Sequence, residues 1–161
     1  MFTSDNRPWP TTNAPAARIV GGLFRSRNYV WDNDHRVVAA HGLTWTQFLT
    51  LSALRSAVPD HTLSPTQLYE ATQASSGGIT KMLHALSDAG YVERIDNPED
   101  KRSTLVRITV SGAELVERVV EELIQVNTDL FGSILSEDEC QQLAGLLRKL
   151  STGLQQRKSG A

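Results

Sequence analysis

A run of small and hydroxylated residues, followed by a lysine and a histidine, lies in the middle of the chain. Its members are Ser75, Ser76, Gly77, Gly78, Thr80, Lys81 and His84. Where such a run opens a helix, the lack of bulk lets the backbone approach a partner, and the free N–H groups can bind phosphate. The side chains that follow could donate hydrogen bonds to base edges. The run indicates a helix that faces nucleic acid, although a flexible helix start with a solvated lysine would show the same pattern.

A second polar cluster lies between two segments that alternate apolar and polar residues. It extends from Asp96 to Ser103 and includes Asp100, Lys101 and Arg102. Turn formers and charges in this arrangement predict the loop of a β-hairpin. An exposed hairpin could carry only a surface ion pair, worth at most about 1 kcal/mol. Directly after a helix-turn-helix, the same hairpin would be a wing whose cations can reach DNA.

Residue types that catalyse reactions are present, but their spacing matches no catalytic or metal-binding pattern. The four histidines are scattered over different predicted elements, and the single cysteine, Cys140, excludes every motif that needs several cysteines. No serine stands in a nucleophile elbow. We therefore expect no enzyme activity, no bound metal and no cofactor. We interpret Cys140 as a buried packing residue, with a redox role as the alternative.

Six helices and one hairpin are predicted to position these residues. Apolar residues recur at helical or alternating spacing, and caps or turn formers mark the ends of each element. Ser64, Ser111 and Ser136 are predicted to cap the third, fifth and sixth helices, and Gly42 and Gly90 are predicted to end the first and fourth. The predicted helices cover residues 16–40, 45–57, 65–72, 75–89, 111–134 and 136–155, and the predicted strands cover 91–95 and 104–109. Two short helices joined by a tight turn and followed by a hairpin make a winged helix-turn-helix. The predicted fold class is mainly α with a small β-wing, between a flexible extension (1–15) and a flexible tail (156–161).

The composition is that of an ordinary folded domain. The chain has 161 residues, of which 40% are hydrophobic and 21% charged, and this balance excludes a disordered chain. No apolar stretch approaches the ~20 residues that cross a bilayer. The N-terminus lacks the basic start and apolar core of a signal peptide, so we expect a cytoplasmic protein without membrane contact.

The charge balance limits how the chain could bind nucleic acid. The net charge is −2, and residues 64–110 contain five cations and six acids. Nucleic-acid binders usually show a basic excess, because affinity comes largely from neutralised phosphates. Any DNA contact must therefore depend on a few well-placed cations, and Arg94 and Arg107 join Lys101 as secondary phosphate candidates.

Several phrases occur in an order and spacing that resemble one family. They are Gly42-Leu43-Thr44, Leu63-Ser64-Pro65-Thr66-Gln67-Leu68, the run Ser75 to Lys81, Ala89-Gly90-Tyr91-Val92-Glu93-Arg94, Asp100-Lys101-Arg102-Ser103 and Ser111-Gly112. Over residues 16–155 the chain is similar to the MarR (multiple antibiotic resistance) family of transcriptional regulators. The resemblance implies a sequence-specific homodimeric regulator, expected to be a repressor. Helices in 16–42 and 111–155 would form the dimer interface, and the lobes in 43–110 would grip a palindromic operator in double-stranded DNA.

The resemblance also implies roles for particular residues. Arg102 would enter the minor groove, which attracts cations most where it is narrow. Asp100 would hold the wing in shape by pairing with an arginine. Ser64 and Thr66, at the start of the third helix, would contact DNA together with the recognition helix.

A small-molecule effector is a further implication of the resemblance, because regulators of this family often bind aromatic or phenolic ligands. The nearest candidates are Trp31, His35 and Trp45, since two aromatic rings and one titratable imidazole would suit an aromatic acid. Simple packing of the three rings at a helix junction is the alternative. Leu49 stands where urate-responsive members carry an acidic residue, so a urate-type ligand is not implied.

One other function fits the same elements. A winged helix can serve as a protein-interaction module without DNA specificity, and the near-neutral charge of the lobe favours that alternative. Arg102 and the small residues Gly77 and Gly78 favour DNA binding.

Overall fold

The structure, a computed structural model, describes residues 14–72, 76–98 and 103–159. Within these ranges it contains α1 (Pro15–Ala40), α2 (Trp45–Ser56), β1 (Thr62–Leu63), α3 (Pro65–Thr72), α4 (Ser76–Asp88), β2 (Val92–Asp96), β3 (Thr104–Ile108), α5 (Val110–Gly132) and α6 (Glu137–Ser159). The chain divides into two compact units, residues 1–45 and 46–161. The predicted fold class, mainly α with a small β-wing, is confirmed.

The helix α1 makes up most of the first unit. It begins at Pro15, whose missing N–H would have no helical partner in the first turn. It ends at Ala40, and Gly42, two residues further on, has a φ of +75°. The N–H groups of Gly42 and Leu43 donate to the carbonyls of Ala39 and Val38, closing the last turn in a Schellman motif. Gly42 therefore ends the helix as predicted, because only glycine adopts this backbone conformation without strain.

Capping boxes begin two helices of the second unit. The Ser64 hydroxyl accepts from the Gln67 N–H at 3.2 Å, and the Gln67 side chain accepts from the Ser64 N–H at 2.8 Å. Ser136 and Glu139 form the same reciprocal pair ahead of α6, at 3.4 and 2.9 Å. Each box satisfies N–H groups that the helix itself cannot pair. Both N-caps were predicted from the sequence.

The cap of α5 differs from the prediction. The sequence suggested that Ser111 caps this helix, but the N-cap is Thr109, whose hydroxyl accepts from the Gly112 N–H at 3.1 Å. The helix therefore begins at Val110, one residue before the predicted start. Ser111 lies inside the first turn, and its hydroxyl instead donates to the carbonyl of Gly90.

The second unit contains one antiparallel sheet, in the order β1-β3-β2. The hairpin pairs Val92 with Ile108 at one end and Asp96 with Thr104 at the other. The strand β1 was not predicted, because two residues are too few to show an alternating pattern. It pairs with β3 through Thr62↔Arg107 and Leu63↔Val106, so β3 lies in the middle of the sheet.

The core of the second unit joins α2, the helix-turn-helix, the hairpin and the first half of α5. Its fully buried side chains are Thr50, Leu51, Leu54, Leu68, Leu86, Val106, Val116 and Val119. The buried hydroxyl of Thr50 is satisfied because it donates to the Thr46 carbonyl at 2.9 Å. The core therefore fixes one face of α3 and α4, and leaves their other faces open.

The two C-terminal helices differ slightly from their predicted ends. The helix α5 ends at Gly132, two residues before the predicted end, and α6 continues to Ser159, beyond the predicted end at Gln155. Cys140, predicted to be buried, is half-exposed on α6. Among the described residues, no helix combines the length and the apolar character needed to cross a membrane.

Candidate nucleic-acid interface

The helix α4 has one buried face and one polar face. Ile79, Met82, Leu83 and Leu86 are buried, and Thr80, Lys81 and His84 are exposed. The three exposed residues fall within about 100° of one another around a helix with 3.6 residues per turn, and Gly77 lies on the same side one turn earlier. The structure therefore brings these predicted residues to one surface, while the buried face fixes the orientation of the helix.

Four of the predicted DNA-contact residues lie at or just before the start of α4, and the structure describes three of them. Gly78 lies in the first turn of the helix and is exposed. Ser76 and Gly77 belong to the same turn. Ser75 lies outside the described residues.

The start of α3 provides a second predicted contact region. Thr66 is exposed. Ser64 is only half-exposed, and its hydroxyl accepts from the Gln67 N–H, so its oxygen already has one partner. A hydroxyl has one donor and two acceptor sites, so the Ser64 O–H could still donate to a phosphate.

The hairpin carries two exposed arginines on opposite faces: Arg107 is paired with Glu93, and Arg94 lies on the same face as Val106. Arg107 and Glu93 lie opposite each other on β3 and β2. The Arg107 Nε and a terminal nitrogen contact the same Glu93 oxygen at 2.8 and 2.7 Å. Arg94 is exposed on β2, opposite Val106. Glu93 partly neutralises Arg107, so Arg94 is the better placed of the two to bind a phosphate.

Two hydrogen bonds close the base of the predicted wing. The Asn97 side chain donates to the Ser103 hydroxyl at 2.9 Å, and the Asn97 N–H donates to the Ser103 carbonyl at 3.3 Å. Asn97 and Ser103 therefore extend the pairing of β2 with β3 by one residue pair beyond Asp96↔Thr104. The predicted tip residues Asp100, Lys101 and Arg102 lie outside the described residues, so their roles stay predictions.

The three candidate effector residues lie together in the first unit. The ring centroids of Trp31 and His35 are 4.3 Å apart, those of His35 and Trp45 are 4.5 Å apart, and the last two rings are stacked. The His35 Nδ1 lies 2.9 Å from the Trp31 carbonyl oxygen, which can only accept, so Nδ1 carries the proton. The Arg27 guanidinium lies 4.9 Å from the Trp31 ring centroid. The rings contact one another directly, so the predicted grouping is present but part of each aromatic face is already covered.

A cleft that the sequence analysis did not identify lies between α2 and α5. It has a volume of about 360 Å³, and its lining residues are Ser52, Arg55, Ser56, Val116, Glu117, Val120 and Glu121. The Arg55 Nε donates to Glu117 at 2.6 Å across the cleft. The Ser52 hydroxyl is buried without a hydrogen-bond partner. Arg55 and Glu117 are 62 residues apart, so no local pattern could have paired them.

The described residues contain no arrangement that would support metal chemistry. No group of three or more His, Cys, Asp or Glu side chains in those ranges could hold a metal ion. The polar face of α4 combines a hydroxyl, an ammonium and an imidazole group beside residues without side-chain bulk. These groups can form hydrogen bonds and neutralise charge, which suits binding to an anionic polymer.

The sequence of the chain is similar to a known protein family and to individual members of it. A model described as MarR family matches residues 41–103. The chain is 33% identical over 136 residues to the multiple antibiotic resistance protein MarR of Salmonella typhimurium, across 84% of this chain and 90% of that protein. It is 28% identical over 145 residues to the HTH-type transcriptional regulator PecS of Dickeya dadantii, across 90% of this chain and 87% of that protein.

The fold is also similar to solved structures. One is a mutant MarR from E. coli complexed with operator DNA, with 29% sequence identity and a TM-score of 0.62. That match covers 83% of this chain and 96% of the other. Another, described as the multiple antibiotic resistance repressor MarR, has 28% identity and a TM-score of 0.70, and it covers 84% of this chain and 94% of the other.

Proposed function

Because the chain belongs to the MarR family of DNA-binding transcriptional regulators and is not an enzyme, we propose that it is a cytoplasmic, dimeric repressor that binds a palindromic operator. The observation that carries the proposal is the exposed face of α4, where Thr80, Lys81 and His84 project beside Gly77. The opposite face of the same helix is held in the core. A helix fixed in this way can present the same donors to the major groove in each protomer.

The contacts would divide by type. Thr80 and Lys81 would bind base edges or phosphates in the major groove, and His84 would contribute at the edge of the contact. The start of α4 would place its backbone N–H groups near a phosphate. Arg94 would bind the phosphate backbone, and Arg102 would enter the adjacent minor groove. These contacts combine positioning by phosphates with sequence recognition by bases.

The affinity would be modest and only weakly dependent on salt. Each phosphate that a cation neutralises contributes about −0.9 to the slope of log K against log [salt]. Five cations and six acids lie between residues 64 and 110, and Glu93 neutralises part of the charge of Arg107. Few phosphates can then be neutralised by one lobe, so tight binding needs the two lobes of a dimer.

Exposed apolar side chains support a dimer. On α1 they include Ile19, Val20, Leu23 and Phe24, and on α6 they are Leu143, Leu146, Leu147, Leu150 and Leu154. Counted from Leu143, the leucines lie at positions i, i+3, i+4, i+7 and i+11, so they form one stripe along the helix. Contiguous apolar patches of this kind mark interaction sites, because their exposure to water is unfavourable. A second copy of the chain would cover them.

A small aromatic or phenolic ligand would release the operator by binding at Trp31, His35 and Trp45. The stacked His35 and Trp45 rings, with the Trp31 ring and the Arg27 guanidinium nearby, suit a planar ligand that carries a negative charge. A Trp45→Ala variant should retain DNA binding but lose any response to an aromatic acid. Equal responses of Trp45→Ala and wild type would indicate that these rings only pack together.

Band shifts with DNA upstream of its own and neighbouring genes test the main proposal. Wild-type protein should bind a defined site, and Lys81→Ala or Arg102→Ala should lose affinity by about tenfold or more, since each contact to DNA contributes about 1–3 kcal/mol. Lys149→Ala, an exposed lysine on α6, is the matched control and should bind as wild type does. If wild type binds none of these DNA fragments, or if wild type and both variants bind specific and random DNA equally well, the proposal fails and the protein-interaction module is favoured.

A further inference from the structure

The end of α4 has a fixed geometry that depends on glycine. Gly90 has a φ of +76°. The Gly90 N–H donates to the Ser87 carbonyl at 2.9 Å, and the Tyr91 N–H donates to the Leu86 carbonyl at 2.9 Å. This Schellman motif uses the N–H groups of Gly90 and Tyr91. Their carbonyl oxygens remain available to accept hydrogen bonds from other elements.

The start of α5 binds both of these carbonyls. The Thr109 hydroxyl donates to the Gly90 oxygen at 2.7 Å, and the Ser111 hydroxyl donates to the same oxygen at 3.0 Å. The Thr109 N–H donates to the Tyr91 oxygen at 3.0 Å. A carbonyl oxygen has two lone pairs and can accept two hydrogen bonds. The Gly90 oxygen accepts both of its hydrogen bonds from these two side chains.

A glycine lets the two segments approach closely. A Cβ added at Gly112 would fall well inside the van der Waals distance of the Tyr91 carbonyl oxygen and 2.9 Å from the Ile108 Cγ1. Gly112 is also the residue whose N–H the Thr109 hydroxyl caps. The first turn of α5 is therefore held against the end of α4 by hydrogen bonds and by direct contact.

We call the contact between the end of α4 and the first turn of α5 the junction. A small rotation of α4 at the junction would move the polar face of the helix. Thr80 precedes Gly90 by ten residues, which corresponds to about 15 Å along a helix. A rotation of about 10° at the junction would move Thr80 by roughly 2.5 Å, close to the ~3.4 Å between neighbouring base pairs along one strand. A change of this size would shift the contacts of the helix by most of one base pair.

We infer that Thr109 and Ser111 are positioning residues for DNA recognition: by holding the Gly90 carbonyl, they fix the angle between α4 and α5. The inference rests on the proposed function, because it assumes that α4 contacts DNA in a dimer. With the angle between α4 and α5 fixed in both protomers, the dimer binds only operators whose two half-sites are separated by one particular number of base pairs. Loss of both hydroxyl donors loosens the angle and allows other separations.

The variants separate this role from helix capping. In Thr109→Asp with Ser111→Ala, the aspartate still accepts from the Gly112 N–H and so caps α5, but no side chain donates to Gly90. Thr109→Ser is the matched control, because serine retains both the cap and the donated hydrogen bond. Gly90 is exposed, so water can replace the lost donors, and thermal denaturation should show that the double variant folds.

Hydrogen exchange without DNA tests the junction itself. The amides of Tyr91 and Thr109 should exchange at least fivefold faster in the double variant than in wild type, and at the wild-type rate in Thr109→Ser. Unchanged exchange in the double variant would show that the two hydroxyls do not hold the junction. This measurement does not depend on whether the protein binds DNA.

Operators with altered spacing test the positioning role. The preferred operator is first selected from random DNA with wild-type protein, and one base pair is then inserted or removed between its half-sites. Wild type and Thr109→Ser should bind the altered operators at least tenfold more weakly, and the double variant should lose most of that preference. A folded double variant with the wild-type preference would overturn the inference. If wild type selects no sequence, the proposed function fails, and the exchange experiment still decides whether the junction is held.

Discussion

Glu139 and Gly112 show how a single residue determines where a helix begins and how closely two segments approach. Glu139 accepts hydrogen bonds from the backbone N–H and the hydroxyl of Ser136, at 2.9 and 3.0 Å. Both bonds favour the charged form, so the pKa of Glu139 lies below its ordinary value, with the backbone bond as the main cause. Gly112 contributes by lacking a side chain beside the Tyr91 carbonyl.

The capping role of Glu139 predicts a dependence of stability on pH. A carboxyl whose pKa is lower in the folded than in the unfolded chain stabilises the fold above the unfolded value, and loses that contribution as the pH falls through the folded value. Glu139→Gln should therefore be less stable than wild type at pH 7, and the difference should shrink as the pH falls below the usual glutamate value of about 4.3. Urea denaturation between pH 7 and pH 3 measures it. Glu137→Gln removes the same charge from the same turn, and an identical pH dependence in both variants would contradict a capping role.

Gly112→Ala should destabilise the fold by about 1–3 kcal/mol, since the added methyl group would force apart two segments that are already in contact. Gly132→Ala is the matched control, because a Cβ there meets nothing within 4 Å, and its effect should stay within about 1 kcal/mol. Chemical denaturation of both variants gives the comparison. Equal stabilities would mean that the junction can relax around a methyl group.

At the level of elements, the helix-turn-helix is specified by caps and by burial. The reciprocal bonds of Ser64 and Gln67 begin α3, and Leu68 is fully buried one residue later. The positive φ of Gly90 ends α4. These local signals fix where α3 begins and where α4 ends, and the buried residues fix which faces remain exposed.

Ser64→Ala should lower the free energy of unfolding by about 0.5–2 kcal/mol, because the Gln67 N–H loses its capping partner. Thr66→Ala, an exposed change in the same turn, should leave stability within about 0.5 kcal/mol. Urea denaturation checks both values. Band shifts well below the melting temperature then separate the two roles of Ser64: weaker DNA binding by the folded variant would reveal a direct contact as well as a cap.

At the level of the whole molecule, the long helices carry more apolar surface than one chain covers. One face of the first half of α5 is buried, with Leu115, Val116 and Val119 in the core, whereas Ile124 is 62% exposed further along the same helix. Leu146 on α6 is 66% exposed. This distribution fits helices that complete their burial against a second copy.

Leu146→Lys should weaken the proposed dimer, because a charge placed in the leucine stripe of α6 would have to be buried on association. Sedimentation velocity should show a dimer for wild type and a shift towards monomer for the variant. Gln141→Lys adds the same charge at an exposed polar position of the same helix and should leave the dimer intact. A monomeric wild type, or an unchanged Leu146→Lys dimer, would contradict the assignment of this stripe to a dimer interface.

Most of the architecture could be predicted from the sequence, because caps, glycine stops and apolar periodicity act within a few residues of one another. The bounds of α3 were predicted to the residue, and Gly42 and Gly90 end their helices as expected. The exposed positions of Thr80, Lys81 and His84 also follow from helical period alone. The family, with its winged-helix fold, was likewise identified from the order of short motifs.

Other features depend on contacts between residues that are distant along the chain. Two residues of β1 become a strand only because β3 lies beside them. Thr109 rather than Ser111 caps α5 because Thr109 has the extended backbone of an N-cap, whereas Ser111 already lies in the first helical turn and donates to Gly90, 21 residues earlier. The sequence alone determined where α4 lies and which of its faces is polar. Only the tertiary structure determined how that helix is held against α5, because hydrogen bonds to backbone carbonyls leave no pattern in the sequence.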